Sequence, residues 1–104
     1  MYTVQQTGEF ASWLQNIKDP TSKARLVARI RKVTLGNLGD CKQLSDHLWE
    51  LRETFGPGWR LYFTRIGAAV ILMLGGGIKK SQSKDIAQAE KLAKELRDGK
   101  DQTV

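Results

Sequence analysis

Three stretches of the chain carry apolar residues at the three- and four-residue intervals of one face of an amphipathic helix, two near its start and one near its end. Asp19 followed by Pro20 is typical of a helix N-cap with proline at the first helical position, and it joins the first two stretches closely. We therefore expect an N-terminal helical hairpin and a C-terminal helix, with Ser83 as the N-cap of the latter. The three apolar faces are Phe10, Trp13, Leu14 and Ile17; Leu26, Val27, Ile30 and Val33; and Ile86, Ala89, Ala93 and Leu96.

Between the second and third helices the pattern changes to the period-two alternation of strands. Tight turns are predicted at Gly56-Pro57-Gly58 and at Gly67, and Gly75-Gly76-Gly77 predicts a break after the last strand. Tight turns between consecutive strands predict an antiparallel meander. The expected strands are 48–54, 59–66 and 68–74, and residues 2–6 could add a strand at one edge.

These elements predict a single α+β domain over residues 1–98, with residues 99–104 as a flexible tail. The helices would cover one face of an antiparallel sheet and leave the other face open. A length of 104 residues suffices for one such domain, and 40% apolar with 27% charged residues is typical of a folded chain rather than a disordered one. Arg52, Arg60 and Tyr62 would line the open face.

Charge indicates an acidic partner. Lys and Arg number 17 against 11 Asp and Glu, which gives a net charge of +6. The start of the chain has no signal-peptide pattern, and the longest apolar run, 68–74, is too short to span a bilayer. Cys41 has no second cysteine to pair with. We therefore expect a soluble cytoplasmic protein that engages phosphates or another acidic surface.

A cationic group is expected where the strands end. Arg60 and Tyr62 are two residues apart, so they share one face of a strand, and Arg52 precedes them on the neighbouring strand. Lys79 and Lys80 follow the last strand. Guanidinium groups suit phosphate, and an aromatic ring suits a stacked base, so the group favours a nucleic-acid partner.

The alternative for the two arginines is a structural role. Arg52 would then pair with Glu50 or Glu53, and Arg60 would form a structural salt bridge. Arg25, Arg29 and Lys32, opposite the apolar face of the second helix, form a basic stripe that would dock an acidic partner, together with Lys84, Lys91 and Lys94.

Acid–base chemistry has few candidates. His47 is the only histidine, and its place beside Asp46 favours an incidental polar residue. A base would have to be a carboxylate such as Glu50 or Asp85, or a lysine with a lowered pKa. No carboxylate cluster indicates a metal, so we expect neither metal nor cofactor.

Four motifs occur together in this chain: G-N-L-G-D at 36–40, E-L-R at 50–52, G-P-G-W-R-L-Y-F at 56–63 and G-G-G-I-K-K-S-Q-S-K-D-I at 75–86. In this combination, over residues 8–96, the chain resembles the RelE/ParE superfamily of type II toxin–antitoxin toxins, and within it the HigB-like addiction module killer branch. The resemblance implies a helical hairpin and a C-terminal helix around a curved antiparallel sheet. It also implies a growth-inhibiting toxin that is held inactive by an antitoxin, often a helix-turn-helix protein from the same operon.

Most members of this superfamily cleave mRNA on the translating ribosome, whereas ParE members inhibit DNA gyrase. The resemblance matches Arg60 to the arginine that contacts RNA phosphate, and Lys79 or Lys80 to the basic residue after the last strand. Leu48 and Glu50 stand where the best-known RNA-cleaving members have two lysines, and the segment 81–86 replaces their C-terminal tyrosine or histidine–tyrosine pair. The chain departs there from the usual proton-transfer set, so both functions stay open.

The expected function is thus a metal-independent endoribonuclease, with a non-enzymatic gyrase inhibitor as the alternative. The expected partners are the antitoxin, mRNA and the ribosome. The residues assigned to catalysis are Arg60, Lys79, Lys80, Arg52 and Glu50, and those assigned to RNA binding are Tyr62, Ser81, Gln82 and Lys84.

Overall fold

Five strands and three helices make up residues 1–97, the part of the chain that the computed structural model describes. The arrangement is α+β, as expected, and the tail predicted for 99–104 lies outside the described residues. Within residues 1–97 no helix is both long and apolar enough to cross a membrane. The elements are β1 (Thr3–Gln6), α1 (Gly8–Gln15), α2 (Pro20–Thr34), β2 (Cys41–Ser45), β3 (Leu48–Arg52), β4 (Trp59–Ile66), β5 (Val70–Ile78), a 3₁₀ turn (Lys79–Ser81) and α3 (Gln82–Arg97).

Two of the helix starts follow the usual capping chemistry. The Thr7 hydroxyl accepts from the backbone N–H of Phe10, and the Asp19 carboxylate accepts from the backbone N–H groups of Thr21 and Ser22, so the predicted Asp19 cap is confirmed. The predicted Ser83 cap is wrong, because α3 begins one residue earlier and continues directly from the 3₁₀ turn.

The sheet is mixed, with the order β1-β5-β4-β3-β2. Strands β2 to β5 pair antiparallel with their neighbours, which confirms the predicted meander and adds β2 to it. The prediction of an antiparallel sheet is wrong for β1, which pairs in parallel with β5 from Thr3 opposite Val70 to Gln6 opposite Met73. Parallel neighbours need a long connection, and here the helices and three strands separate β1 from β5 along the chain.

Glycines 75–77 do not break the chain, contrary to the prediction, and β5 runs through them to Ile78. A Cβ on Gly76 would overlap the Trp13 ring of α1, and a Cβ on Gly77 would overlap the Asp85 carboxylate of α3. Successive residues of a strand face opposite ways. The glycines therefore let one element approach β5 from each side.

Helices cover both faces of the sheet, so the predicted open face is wrong. Helices α1 and α2 lie on one face, here called the α1/α2 face, and α3 lies on the other, here called the α3 face. The buried core of the α1/α2 face comprises Phe10, Leu14, Leu26, Val33, Leu51, Leu61, Phe63, Ile71 and Met73. The buried apolar residues of the α3 face are Leu48, Tyr62, Leu74, Ala89 and Ala93.

Helix α2 buries a different stripe from the predicted one. Val27 is 43% exposed, whereas Arg29, which was placed on the solvent side, is buried. Arg29 is accommodated because its guanidinium finds a carboxylate and three backbone carbonyls, including those of Leu38 and Asp40. The predicted basic docking stripe therefore loses its central member.

Candidate functional site

A group of five polar side chains lies between β3, β4 and the start of α3, and it is called here the polar cluster. Alternation along β3 and β4 aims three of them at the α3 face, where Glu50 is opposite Tyr62 in the strand register. The first turn of α3 supplies the other two. The members of the polar cluster are Glu50, Arg60, Tyr62, Gln82 and Asp85.

Glu50 connects the three elements of the polar cluster. Its side chain is almost fully buried and accepts a hydrogen bond of 2.6 Å from Nε2 of Gln82. The same oxygen, Oε2, lies 3.9 Å from Nε of Arg60, which is within ion-pair range but too long for a hydrogen bond. Glu50 is therefore held by α3 and faces the positive charge of β4.

Arg60 is nearly buried, with 9% of its surface exposed. Its Nη1 donates to the backbone carbonyls of Glu53, at 3.1 Å, and Trp59, at 3.0 Å. Its buried Nε has no hydrogen-bond partner among the described residues. Two acceptors for a group with five N–H donors leave Arg60 under-satisfied.

Gly58 brings Lys79 beside Arg60. A Cβ at Gly58 would lie 3.1 Å from Cβ of Lys79 and 3.6 Å from Nη1 of Arg60, so both side chains border the same glycine. With a φ of +81°, Gly58 also has a backbone conformation that residues with side chains rarely adopt. The glycine at position 58 of the 56–63 motif therefore leaves space for the side chains of Arg60 and Lys79 to lie side by side.

Tyr62 is completely buried under α3, beside Ala89 and Ala93. The prediction that its ring lines an open face and is available to a base is wrong for this arrangement. The Tyr62 hydroxyl has no hydrogen-bond partner within residues 1–97. Burial, assisted by the negative charges of Glu50 and Asp85, raises the pKa of this hydroxyl above its usual value. Tyr62 is therefore a protonated group inside the cluster.

Ser81 and Asp85 form the edge of the polar cluster at the start of α3. The Ser81 hydroxyl donates to Oδ2 of Asp85 at 2.5 Å and accepts from the backbone N–H of Ile78 at 3.4 Å. The residue list predicted from the sequence omits Asp85, although Asp85 was a candidate base. Its i, i+4 spacing from Ser81 and the glycine at position 77 were the available signals.

Three exposed lysines lie on the segment that leads from β5 into α3, beside the polar cluster in sequence, and they are called here the basic rim. Lys79 and Lys80 lie on the 3₁₀ turn and Lys84 lies in the first turn of α3, and all three are exposed. Among the described residues none of them forms an ion pair. Their charge is therefore open to an anionic partner.

Arg52 differs from the basic rim because its guanidinium already has a carboxylate partner. Its Nη2 is 2.9 Å from Oδ1 of Asp40, and its Nε donates to the same oxygen at 3.3 Å. The alternative that it pairs with Glu50 or Glu53 is therefore wrong, because the loop before β2 provides the carboxylate instead. An arginine that is already paired contributes less to the charge of the site.

A groove beside the polar cluster has a predominantly acidic lining. It has a volume of about 390 Å³ between α1, β5 and α3, and its charged lining residues are Glu9, Asp85 and Glu95 with one cation, Lys91. Carboxylates repel phosphate. An anion would therefore approach from the side of the cluster that carries Lys79.

His47 and Cys41, the histidine and the cysteine of the chain, lie outside the polar cluster. No group of three His, Cys, Asp or Glu side chains within residues 1–97 is placed to hold a metal ion. His47 is exposed in the turn between β2 and β3, at the opposite end of β3 from Arg52. Cys41 is half-buried, and burial raises the pKa of its thiol. The residues that come together are thus suited to binding an anion over a buried acid–base group.

No protein-family model matches this chain. An uncharacterized protein of Haemophilus influenzae is 41% identical to it over 93 residues. The aligned region covers 89% of this chain and 94% of the Haemophilus influenzae protein. The similarity therefore extends over nearly the whole length of both proteins.

Proposed function

We propose that this chain, which belongs to the same family as the uncharacterized Haemophilus influenzae protein, is the growth-arresting toxin of a type II toxin–antitoxin module. In this proposal it is a cytoplasmic, metal-independent endoribonuclease that cleaves mRNA on the translating ribosome. The four sequence motifs support it, because their resemblance to RelE/ParE toxins extends over residues 8–96. So does the α+β fold, with two N-terminal helices and a C-terminal helix around one sheet. A RelE/ParE-like helical hairpin on a curved sheet is part of the proposal.

Arg60 carries the proposal. Its guanidinium is nearly buried, its Nε has no partner among the described residues, and Lys79 borders the same glycine. A buried cation with unused donors is costly unless an acceptor arrives. A phosphate supplies such acceptors in the geometry that guanidinium prefers.

The reaction would be an in-line attack of a ribose 2′-hydroxyl on its own 3′-phosphate. The bond from phosphorus to the 5′-oxygen of the next nucleotide would break, that oxygen would take up a proton from water, and a 2′,3′-cyclic phosphate would form. Arg60 and Lys79 would hold the phosphate and stabilise the charge that develops on it. Lys80 and Lys84 would attract the backbone, and Arg52 would add to the field at longer range. Ser81 and Gln82 would border the RNA at the start of α3.

Proton transfer requires a local movement in this scheme. Glu50 is the carboxylate assigned to accept the 2′-hydroxyl proton, but it is buried and bound to Gln82. It reaches a ribose only when the first turn of α3 moves away. Tyr62 would then act as a hydrogen-bond donor beneath the phosphate rather than as a stacking platform.

A second candidate function is inhibition of DNA gyrase without catalysis. One observation favours it: Glu50, the carboxylate assigned as the base, and Tyr62, assigned to RNA binding, are both buried. A binding inhibitor needs no accessible acid or base, and the basic rim would serve equally well to dock on an acidic surface.

Either function would need an antitoxin that neutralises the basic surface, and a helix-turn-helix protein from the same operon fits this role. Arg25 and Lys32 remain exposed for such a partner, whereas Arg29 does not.

The decisive experiment compares induced expression of the wild type, Arg60→Ala and Arg65→Ala. Arg65 lies on the same strand but donates to the Tyr2 hydroxyl at the other end of it, so it is a matched control. We expect the wild type and Arg65→Ala to arrest growth and fragment mRNA. We expect Arg60→Ala to lose this activity by about 100-fold or more, since it removes the main stabiliser of the transition-state charge.

Two measurements separate the two functions. Primer extension maps new mRNA ends, and gel electrophoresis reports plasmid supercoiling in the same cultures. Intact mRNA with relaxed plasmid would favour gyrase inhibition. Full toxicity of Arg60→Ala, at an equal level of folded protein, would refute the role of Arg60 as the phosphate ligand.

A further inference from the structure

Two nearly buried arginines on opposite faces of the sheet meet at one residue. Arg29 lies on α2, on the α1/α2 face, and Arg60 lies on β4, aimed at the α3 face. Glu53 is the first residue after β3 and contacts both of them. We refer to this connection as the Arg29–Glu53–Arg60 bridge.

On the α2 side, Arg29 fixes the end of β3. Its Nη1 donates to the Glu53 carboxylate and, at 2.9 Å, to the backbone carbonyl of Arg52. Its Nη2 donates to the carbonyls of Leu38, at 2.9 Å, and Asp40, at 3.0 Å. Both partners of the ion pair are largely buried, with side-chain exposures of 10% and 20%. The pair is therefore little screened by solvent.

On the β4 side, Glu53 holds Arg60 through its main chain. Nη1 of Arg60 donates to the Glu53 carbonyl at 3.1 Å and to the Trp59 carbonyl at 3.0 Å. The Trp59 carbonyl also accepts the backbone N–H of Glu53 at 3.0 Å. Both hydrogen bonds recorded for Arg60 within the described residues thus depend on where residue 53 lies.

No stronger contact within residues 1–97 fixes the Arg60 guanidinium. Glu50 lies 3.9 Å from its Nε, beyond hydrogen-bond length, and that Nε has no partner. A shift of Glu53 would therefore move the guanidinium rather than only weaken the fold. Small displacements of a phosphate ligand reduce transition-state stabilisation steeply.

We propose that Arg29 and Glu53 are positioning residues for Arg60, so that helix α2 sets the geometry of the anion site through the end of β3. This inference rests on the proposed function, in which Arg60 holds a phosphate. The residues act through Arg60 and contact no substrate themselves.

The test compares Glu53→Gln with Glu90→Gln in the full chain. Glu53→Gln removes the charge that Arg29 binds but keeps the backbone carbonyl, and Arg29 retains three carbonyl acceptors, so the variant should fold. Glu90 is a matched control. It lies on α3, is half-buried, and accepts a hydrogen bond from the hydroxyl of Ser45 on β2, outside the polar cluster and the basic rim. Arg29→Lys is a second, independent way to loosen Glu53.

Two readouts are used. The first is the ¹⁵N NMR resonance of the Arg60 Nε–H, assigned by its loss in Arg60→Ala, and the second is the affinity for inorganic phosphate in an NMR titration. We expect Glu53→Gln and Arg29→Lys to shift the Nε–H resonance and to weaken phosphate binding by about tenfold. Glu90→Gln should leave both unchanged. In the Arg60→Ala background, Glu53→Gln should cause no further loss of phosphate binding.

The outcomes distinguish this inference from the proposed function. If a folded Glu53→Gln protein keeps the wild-type Nε–H resonance, the bridge does not position Arg60 and the inference is refuted. If Glu53→Gln weakens phosphate binding equally with and without Arg60, it does not act through Arg60 and the inference is again refuted. If the wild type and Arg60→Ala bind phosphate equally, the proposed site is wrong. In that case the Arg60 Nε–H resonance alone shows whether the Arg29–Glu53–Arg60 bridge positions Arg60.

Discussion

The two faces of the sheet are built on different principles, and adjacent residues of β4 show the contrast. Phe63, on the α1/α2 face, is fully buried and stacks on Trp49 with ring centroids 5.9 Å apart. Tyr62, on the α3 face, is equally buried but leaves its hydroxyl without a partner within the described residues. One face is closed by apolar contact, and the other closes over polar groups. The α1/α2 face therefore carries the larger apolar core, and the α3 face carries the buried groups of the polar cluster.

The two buried arginines differ in the same way. Each leaves its Nε unpartnered within residues 1–97, but Arg29 has a carboxylate and three carbonyls, whereas Arg60 has two carbonyls on one nitrogen. Burial alone therefore does not identify a functional arginine. What distinguishes Arg60 is unused donor capacity next to the exposed Lys79.

The largest effect should come from the α1/α2 face. Phe63→Ala should lower the free energy of unfolding by about 3–5 kcal/mol, because it removes a fully buried ring and leaves a cavity. Tyr62→Phe, its neighbour on the α3 face, should stay within about 1 kcal/mol of the wild type, because the lost hydroxyl has no partner. Urea unfolding measures both. A large loss in Tyr62→Phe would show that the hydroxyl is bonded and that the contrast is wrong.

The next largest effect is expected where the first turn of α3 packs against β5. Gly77→Ala would place a Cβ in the space of the Asp85 carboxylate, so the Asp85 side chain or the first turn of α3 must shift. We expect a loss of about 1–3 kcal/mol, the range for overpacking, together with weaker growth arrest. Thermal unfolding and growth curves measure the two effects.

Gly75→Ala is the control for this prediction. It makes the same substitution two residues earlier on the same strand, where a Cβ meets no atom within 4 Å. Its stability and toxicity should stay close to those of the wild type. Equal losses in the two variants would mean that strand flexibility, rather than contact with Asp85, explains the effect.

The helices and the meander could be predicted from the sequence because each depends on local periodicity and capping. Asp19 with Pro20 fixed the start of α2, and alternation located β3 and β4. Apart from the Ser83 cap, the main errors are non-local. The parallel pairing of β1 with β5, the strand continuing through Gly76 and Gly77, and the second layer formed by α3 depend on which elements meet in space.

The sequence predicted which residues belong to the candidate site better than it predicted how they are arranged. Alternation correctly put Arg60 and Tyr62 on one face of β4, but the pattern does not say that α3 covers that face. Arg29 was misplaced because a charged residue on a helix is usually exposed. Its acceptors are backbone carbonyls of distant residues, which leave no trace in the pattern of side chains.

The smallest effect is a pH dependence that belongs to the α3 face alone. Burial raises the pKa of Tyr62 in the folded protein, whereas in the unfolded chain it stays near 10.0. The neutral hydroxyl is thus favoured by folding, so this contribution to stability is complete below pH 10 and is lost as the pH rises above it. Relative to Tyr62→Phe, the wild type should lose stability between pH 9 and pH 10.5, by about 1 kcal/mol.

Urea unfolding of the two proteins at several pH values measures this difference. All other titrating groups are common to both, so the slope of the difference isolates Tyr62. Parallel curves would mean that Tyr62 ionises in the folded protein as easily as in the unfolded chain. That result would require solvent to reach the Tyr62 hydroxyl through the start of α3. The α3 face would then open more readily than the α1/α2 face. The same opening would bring Glu50 within reach of a substrate.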